Sequence, residues 1–268
     1  MKDWNEVLQH ISDFRKKGLN ITNFYPNKNE MEEWIKDNSF DFYETEKNSF
    51  FVHSERNIKY IFFFLNSLND INQSLIEIQK QFPSDQIAYD FILSDKEQIE
   101  FLKTENKKYN FLMRAELKRM SFVKKDISVN YQNDVNFADK KDIDGIKELF
   151  EKTFDPICER IPTEKQFLNY VENNQILIIK KDNVIAGCAI IEIQKKTMYL
   201  KHLVTNISFR KQGIATRLLN QAFFFAKDCM RFILWVKTNN ESAINLYRKF
   251  GYEDENFRNF TFYKGVLI

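Results

Sequence analysis

Apolar residues first recur at helical spacing, in Trp4, Val7, Leu8, Ile11 and Phe14, with Gly18 placed to stop the helix. Met31, Trp34 and Ile35 predict a second, short helix after a turn at Pro26. The period then changes. Residues 49–53 and 58–65 read as the two strands of a hairpin across Glu55, Arg56 and Asn57. Residues 71–82 are helical in pattern, 86–93 a strand and 96–108 helical again, while 110–122 fit a strand better than a helix.

The second half runs in a similar order. A short strand is predicted at 135–138, then a helix carrying Ile143, Ile146, Leu149, Phe150 and Phe154 with Asp142 as its cap. Residues 155–162 hold two prolines and read as a loop, and Thr163 starts another helix through Val171. Residues 176–179 and 184–193 form a hairpin across Asp182 and Asn183, in which Gly187 marks a bulge or a close backbone approach. The next strand covers 198–204. After a polar turn comes a helix with Ile214, Leu218, Leu219, Ala222, Phe225 and Ala226 on one face. A strand at 232–236, a short helix with Ala243, Leu246, Tyr247 and Phe250 on one face, and a last strand at 259–266 complete the chain. An antiparallel meander followed by strand–helix–strand predicts an α/β (α+β) fold with a mixed, mostly antiparallel sheet flanked by helices.

The two halves match in apolar pattern at a constant offset. Leu75 meets Leu218, Phe82 meets Phe225, Phe91 meets Leu234, Phe101 meets Ile244 and Tyr109 meets Tyr252. A structural repeat explains this, and so does an unrelated α/β cap with similar element lengths. The polar stretch 124–136 is the expected boundary, giving a smaller α/β domain at 1–130 and a second domain at 131–268.

Composition narrows the class without naming a chemistry. The 268 residues and 27 phenylalanines allow a large core, and the net charge is only +2. Lysine pairs are dispersed along the chain, so no basic patch points to nucleic acid. The apolar run 60–65 is too short to span a bilayer, and the N-terminus lacks a signal peptide's apolar core, so a cytoplasmic protein without membrane partners is expected. Cys158, Cys188 and Cys229 are far apart and read as reduced thiols; with His10, His53 and His202 also scattered, no metal is expected.

One turn carries chemistry. Arg210, Lys211, Gln212, Gly213, Ile214, Ala215 and Thr216 join a strand to a helix, where unpaired N–H groups and the macrodipole favour an anion. Gly213 allows close backbone approach, and the basic pair adds charge. The turn has neither the GxxxxGK[ST] of a P-loop nor a GxGxxG. Taken alone, it also fits a plain helix start with solvated basic residues. Downstream, Asn240, Ala243, Leu246, Tyr247, Gly251 and Tyr252 stand at fixed spacing on a capped helix ended by glycine.

Together these segments resemble the GNAT superfamily of acyl-CoA-dependent N-acetyltransferases. Arg210, Gly213 and Ala215 fill its [QR]-x-x-G-x-[GA] motif, with alanine where glycine is commoner, and the second segment fills its N-x-x-A-x-x-L-Y-x-x-x-G-[FY] run. The likeness covers the second half. It implies an enzyme that uses acetyl-CoA as co-substrate and moves an acetyl group to a primary amine. Residues 211–216 would hold the pyrophosphate, the backbone of Leu203, Val204 and Thr205 would pair with the pantetheine arm, and Asn240 would meet that arm. Tyr247 would be the general acid for the departing thiolate. His202 and Glu192, on adjacent strands, are the candidate bases, with water as a relay. Loops at 155–162 and 254–261 would line the acceptor pocket, where Asp155 and Glu159 could draw a cationic amine and Arg160 a carboxylate. The acceptor is expected to be an enclosed small-molecule amine, amino acid or amino sugar, with a protein amine as the second choice. The alternative reading is an acyl-CoA-binding sensor without turnover.

The first half departs from these motifs. Its turn at 66–70 is shorter, has no glycine or basic residue, and carries Asp70; Thr104 stands where Tyr247 would be. It is expected to act as a scaffold or substrate-side wall without a cofactor site.

Overall fold

The structure, a computed structural model, describes residues 1–25, 28–44, 49–123 and 131–265. Pro26, residues 124–130 of the expected boundary and Val266 lie outside the described residues. The chain forms two compact units, one of residues 1–116 and 257–268, the other of residues 117–256.

The first unit begins with α1 (Trp4–Lys16), β1 (Ile21–Thr22), α2 (Lys28–Lys36), β2 (Phe40–Glu44), β3 (Ser49–Glu55) and β4 (Ile58–Leu65). A 3₁₀ turn (Leu68–Asp70) leads to α3 (Ile71–Gln81), β5 (Gln86–Leu93), α4 (Lys96–Lys108) and β6 (Leu112–Val123). Strands β2, β3 and β4 form an antiparallel meander, and β5 joins β4 in parallel. Both faces of the meander are apolar because both are covered. Phe50, Val52, Ile61, Phe63 and Leu65 pack with Leu75 and Ile78 of α3 and Leu102 of α4. On the opposite face Phe51, Phe62 and Phe64 meet Phe14, Phe24 and Trp34. Arg56 and Asn57 turn the β3–β4 hairpin at φ 50° and 64°, a pair of left-handed residues that suits the strand twist.

The second unit continues with β7 (Asn136–Phe137), a 3₁₀ turn (Lys140–Asp142), α5 (Ile143–Glu151), α6 (Pro156–Glu159), α7 (Glu164–Glu172), β8 (Ile176–Lys181), β9 (Val184–Gln194) and β10 (Thr197–Thr205). After a 3₁₀ turn (Ile207–Phe209) come α8 (Ile214–Phe225), β11 (Arg231–Lys237), α9 (Glu241–Lys249) and β12 (Glu253–Lys264). Strands β8, β9 and β10 are an antiparallel meander, β11 joins β10 in parallel, and β7 pairs with β8. Each unit is thus a mixed, mostly antiparallel sheet flanked by helices, built in the same order.

Each unit also takes its last strand from the other half of the sequence. Residues 117–123 of β6 pair antiparallel with β11 in the second unit. Residues 258–264 of β12 pair antiparallel with β5 in the first. A division at residue 130 therefore separates β6 from the strand it pairs with. The stretch 254–261, expected as a loop at the acceptor pocket, is strand instead. Glu255 pins it by accepting from Arg119, Ser121 and Arg231. The 155–162 loop contains α6, and Asp155 caps it by accepting from the Ile157 N–H at 3.0 Å.

Sheet and helix approach most closely in the second unit at Gly187, where a Cβ would stand 2.5 Å from Ile214 Cγ2. The register of β9 against β8 also slips beside it, between Ile179 and Lys180, so both expectations for this glycine hold. No helix among the described residues is long and apolar enough to cross a membrane.

In both units the parallel pair is short. Strands β4 and β5 stay paired from Ile58↔Gln86 to Tyr60↔Ala88, and the ladder ends there although both strands continue. Strand β1 takes up the vacated edge of β4, pairing Ile21 with Leu65 and Thr22 with Phe64. Asn23, 5 % exposed, extends this pairing with its side-chain amide. It donates to the Ile61 carbonyl at 3.0 Å and accepts from the Phe63 N–H at 2.6 Å. Replacing Asn23 by Ala strands both buried backbone groups, each worth about 1–3 kcal/mol. Chemical denaturation of Asn23→Ala should show a loss of roughly 2–4 kcal/mol, and amide exchange at Phe63 should speed up. A loss below about 0.5 kcal/mol, as at an ordinary surface site, would show that this edge needs no partner.

Candidate functional site

The second unit repeats the divergence, and no strand among the described residues fills it. Strands β10 and β11 pair from Thr197↔Arg231 to Leu200↔Leu234, while β10 stays paired with β9 as far as Thr205↔Gly187. Beyond Leu200 the two parallel strands part. A bulge at Lys201 shifts the β9 register between Leu200 and His202 and changes which side chains face which way. Met198 and Leu200, and after the bulge Leu203, pack on the core under α8 and α9. His202 and Val204 turn to the opposite core, under α5 and α7. Leu203, Val204 and Thr205 of β10 and Trp235 to Lys237 of β11 thus lie past the end of the ladder that joins the two strands.

At the end of β10 the chain passes through the 3₁₀ turn into α8. Arg210 closes the 3₁₀ turn with extended ψ, Lys211 is left-handed at φ 60°, and Gly213 at φ 74° is the N-cap of α8. A glycine cap has no side chain to accept the first-turn N–H groups. Helices α1, α4, α7 and α9 are instead capped by Asp3, Asp95, Thr163 and Asn240. The N–H groups of Ile214, Ala215 and Thr216 therefore have no cap acceptor at a site where the dipole is positive. A Cβ at Gly213 would meet nothing within 4 Å, so the space beside the turn is open. Arg210, Lys211, Gln212 and Thr216 are exposed, Ala215 is half-buried, and Ile214 is buried as the anchor of the helix. Lys181, at the end of β8, adds a third cation: its Nζ donates to Gln212 Oε1 at 2.5 Å and lies 6.0 Å from the Phe209 ring centre. That lysine is 31 residues from Gln212, and no motif spacing points to it.

The first unit treats the same turn differently. Its connection is five residues (66–70) against eight (206–213). The Asp70 carboxylate accepts from the Ser67 N–H at 2.8 Å and from the Ser67 hydroxyl at 3.1 Å. The carboxylate closes the 3₁₀ turn onto Ser67, while the first turn of α3, like that of α8, has no side-chain cap. Thr104, the counterpart of Tyr247, is exposed on α4.

Tyr247 lies on the buried face of α9, with its ring centre 5.8 Å from that of Tyr252. Burial pushes its phenol above the ordinary tyrosine value, so it holds its proton at neutral pH. Asn240 is exposed at the start of α9; its Oδ1 accepts from the Ala243 N–H at 3.2 Å, which leaves its amide NH₂ available as a donor.

The two candidate bases sit in unlike surroundings. The His202 ring is clamped between Phe150 and Phe154, with centres 5.1 and 5.2 Å away. Burial, with a smaller push from Lys201, lowers its pKa to about 3. Such an imidazole is neutral at pH 7 and takes up a proton weakly. Glu192 is half-buried opposite Tyr199, accepts from the Tyr170 hydroxyl at 3.0 Å and lies 3.9 Å from Lys201 Nζ.

Of the residues expected on the acceptor side, Glu159 is tied to β11. One carboxylate oxygen accepts from the Lys237 ammonium at 2.8 Å and from the Asp155 N–H at 2.8 Å. This bridge ties α6 to the end of β11 across 78 residues of sequence. Arg160 follows in the left-handed conformation at φ 37°. Among the described residues, no group of three or more His, Cys, Asp or Glu side chains could hold a metal.

Comparison with known proteins bears on the same residues. The model of the acetyltransferase (GNAT) family matches residues 143–252, the stretch from α5 to just past α9. No curated protein sequence matches the chain. Among solved structures, a GCN5-related N-acetyltransferase from Sphaerobacter thermophilus is similar over 82% of this chain and 78% of its own, at 14% identity and TM-score 0.60. An acetyltransferase of the GNAT family from Colwellia psychrerythraea is similar over 96% of each chain, at 10% identity and TM-score 0.56. A tandem GNAT protein from the clavulanic acid biosynthesis pathway, solved without AcCoA, is similar over 84% of this chain and 83% of its own, at 8% identity and TM-score 0.57. At these identities the likeness is one of fold, and it extends into the first half. Residues 143–252, all within the second unit, thus form a domain of the GNAT family.

Proposed function

We propose that this protein transfers an acetyl group from acetyl-CoA to the primary amine of a small molecule. The observation that carries the reading is the open edge of β10 leading straight into an uncapped, glycine-started helix. The backbone of Leu203, Val204 and Thr205 offers peptide groups along which a pantetheine arm, itself an amide chain, can lie as a strand would. Asn240 offers its amide NH₂ from the start of α9. The N–H groups of Lys211 to Thr216 donate to the pyrophosphate oxygens, and Arg210, Lys211 and Lys181 supply its counter-charge. Acetyl-CoA brings the activated thioester.

The chain's own groups supply the rest. An N–H of the β10 stretch after the bulge is placed to donate to the thioester carbonyl as negative charge builds there. Tyr247, kept protonated by burial, gives its proton to the thiolate that leaves. The ammonium of the acceptor must lose a proton before attack. Glu192, through water, suits that step better than His202, whose ring is clamped in an apolar slot.

Two variants test this reading. Gly213→Glu places a carboxylate and its bulk at the pyrophosphate position, and no neighbour lies close enough for the added Cβ to clash. Its left-handed φ costs roughly 1–2 kcal/mol in stability, so a folded variant is expected. That variant should lose measurable binding of acetyl-CoA by calorimetry; wild-type affinity would place the cofactor elsewhere. Tyr247→Phe should bind acetyl-CoA as the wild type does yet turn over about 10²–10⁴-fold more slowly on the best acceptor, read as free thiol released. Undiminished kcat would make Tyr247 a packing residue and water the proton donor.

A further inference from the structure

The Glu159–Lys237 bridge joins α6 to the end of β11, past the point where β10 and β11 stop pairing. Phe232, Leu234 and Val236 of β11 pack into the core under α8 and α9, so the alternate residues Ile233, Trp235 and Lys237 point to the opposite face. The phosphate turn begins α8, on the core side. A cofactor held there and threaded between β10 and β11 presents its thioester toward the α5–α7 side. Lys237 lies in the part of β11 past Leu234, where β10 has already diverged, and three residues before Asn240. Glu159 reaches it from α6 on that same side, with side-chain exposures of 17% for the glutamate and 30% for the lysine.

We propose, resting on the acetyltransferase reading above, that this ion pair is the recognition element for a zwitterionic acceptor, a small molecule bearing an ammonium and a carboxylate as α-amino acids do. An α-amino acid can exchange partners with the bridge. Its ammonium takes the place of Lys237 on Glu159, and its carboxylate takes the place of Glu159 on Lys237. One charge pair becomes two, and no half-buried charge is left alone. A plain amine taking Glu159 strands the Lys237 ammonium, and a plain carboxylate taking Lys237 strands Glu159; both leave an uncompensated charge in a partly desolvated site. The Asp155 N–H keeps Glu159 in place through the exchange. The discrimination comes from the pairing of charges, in the manner of sites that reject analogues lacking a polar group. Once bound, the ammonium loses its proton at the deprotonation step already assigned.

The test is a panel of α-amino acids, each beside its carboxamide and its decarboxylated amine, assayed with acetyl-CoA by thiol release and by calorimetry on the protein saturated with CoA. The wild type should acetylate at least one amino acid with a KM roughly ten- to a hundredfold below those of its amide and amine. Lys237→Met should erase that gap while Lys237→Arg retains it, and CoA affinity should be unchanged in both variants. A bridge that merely fastens α6 would raise KM for all three compounds alike in Lys237→Met, and that outcome would overturn the proposal. Turnover of amines with none of the amino acids would overturn it while leaving the acetyltransferase reading intact. Binding of acetyl-CoA with no turnover of any compound would overturn both.

Discussion

A parallel strand pair that parts midway leaves backbone donors and acceptors that need partners, and both units of this protein are organised around that need. In the first unit β4 and β5 separate after Tyr60 and Ala88, and in the second β10 and β11 separate after Leu200 and Leu234. The first unit satisfies the exposed edge from within, using Ile21, Thr22 and the side-chain amide of Asn23. In the second, no strand among the described residues takes up that edge. One constraint thus has two solutions.

The turns at the end of these strands follow the same division. Asp70 draws the Ser67 N–H and hydroxyl onto its own carboxylate, so the first unit's turn carries a negative charge. Gly213 provides no acceptor, and three cations surround the open N–H groups of α8. The strands differ as well. β4 runs in unbroken register against β3, whereas β10 bulges at Lys201, so that Leu203 joins Met198 and Leu200 on one core while His202 and Val204 face the other. Two units built on one plan, with only the second keeping the family's sequence pattern, account for the chain-wide likeness to GNAT structures alongside a family match confined to residues 143–252.

Local pattern showed much of this. The αL-prone hairpin turns, the amphipathic α8 and α9, and the glycine turn between β10 and α8 all depend on residues a few positions apart, which is the range over which periodicity and capping act. What depends on distant partners was not legible. Strands β6 and β12 alternate in the same way, so their sequences say strand without saying which neighbour they take, and the exchange between halves could not be read. Two-residue β1 and four-residue α6 are too short for any periodicity, although the first fills a groove and the second carries Glu159. His202 reads as a titrating strand residue until Phe150 and Phe154 close on it. Lys181 and Lys237 reach Gln212 and Glu159 across 31 and 78 residues, and no spacing rule covers that.

The central claim, that one groove is open and the other filled by the chain itself, is tested most directly by the stoichiometry of acetyl-CoA binding to the whole protein. Calorimetric titration of the full chain should saturate at one equivalent of acetyl-CoA. Saturation at two equivalents would mean that β1 and Asn23 yield their place on β4 to the cofactor, and the account of the first unit as self-filled would be contradicted.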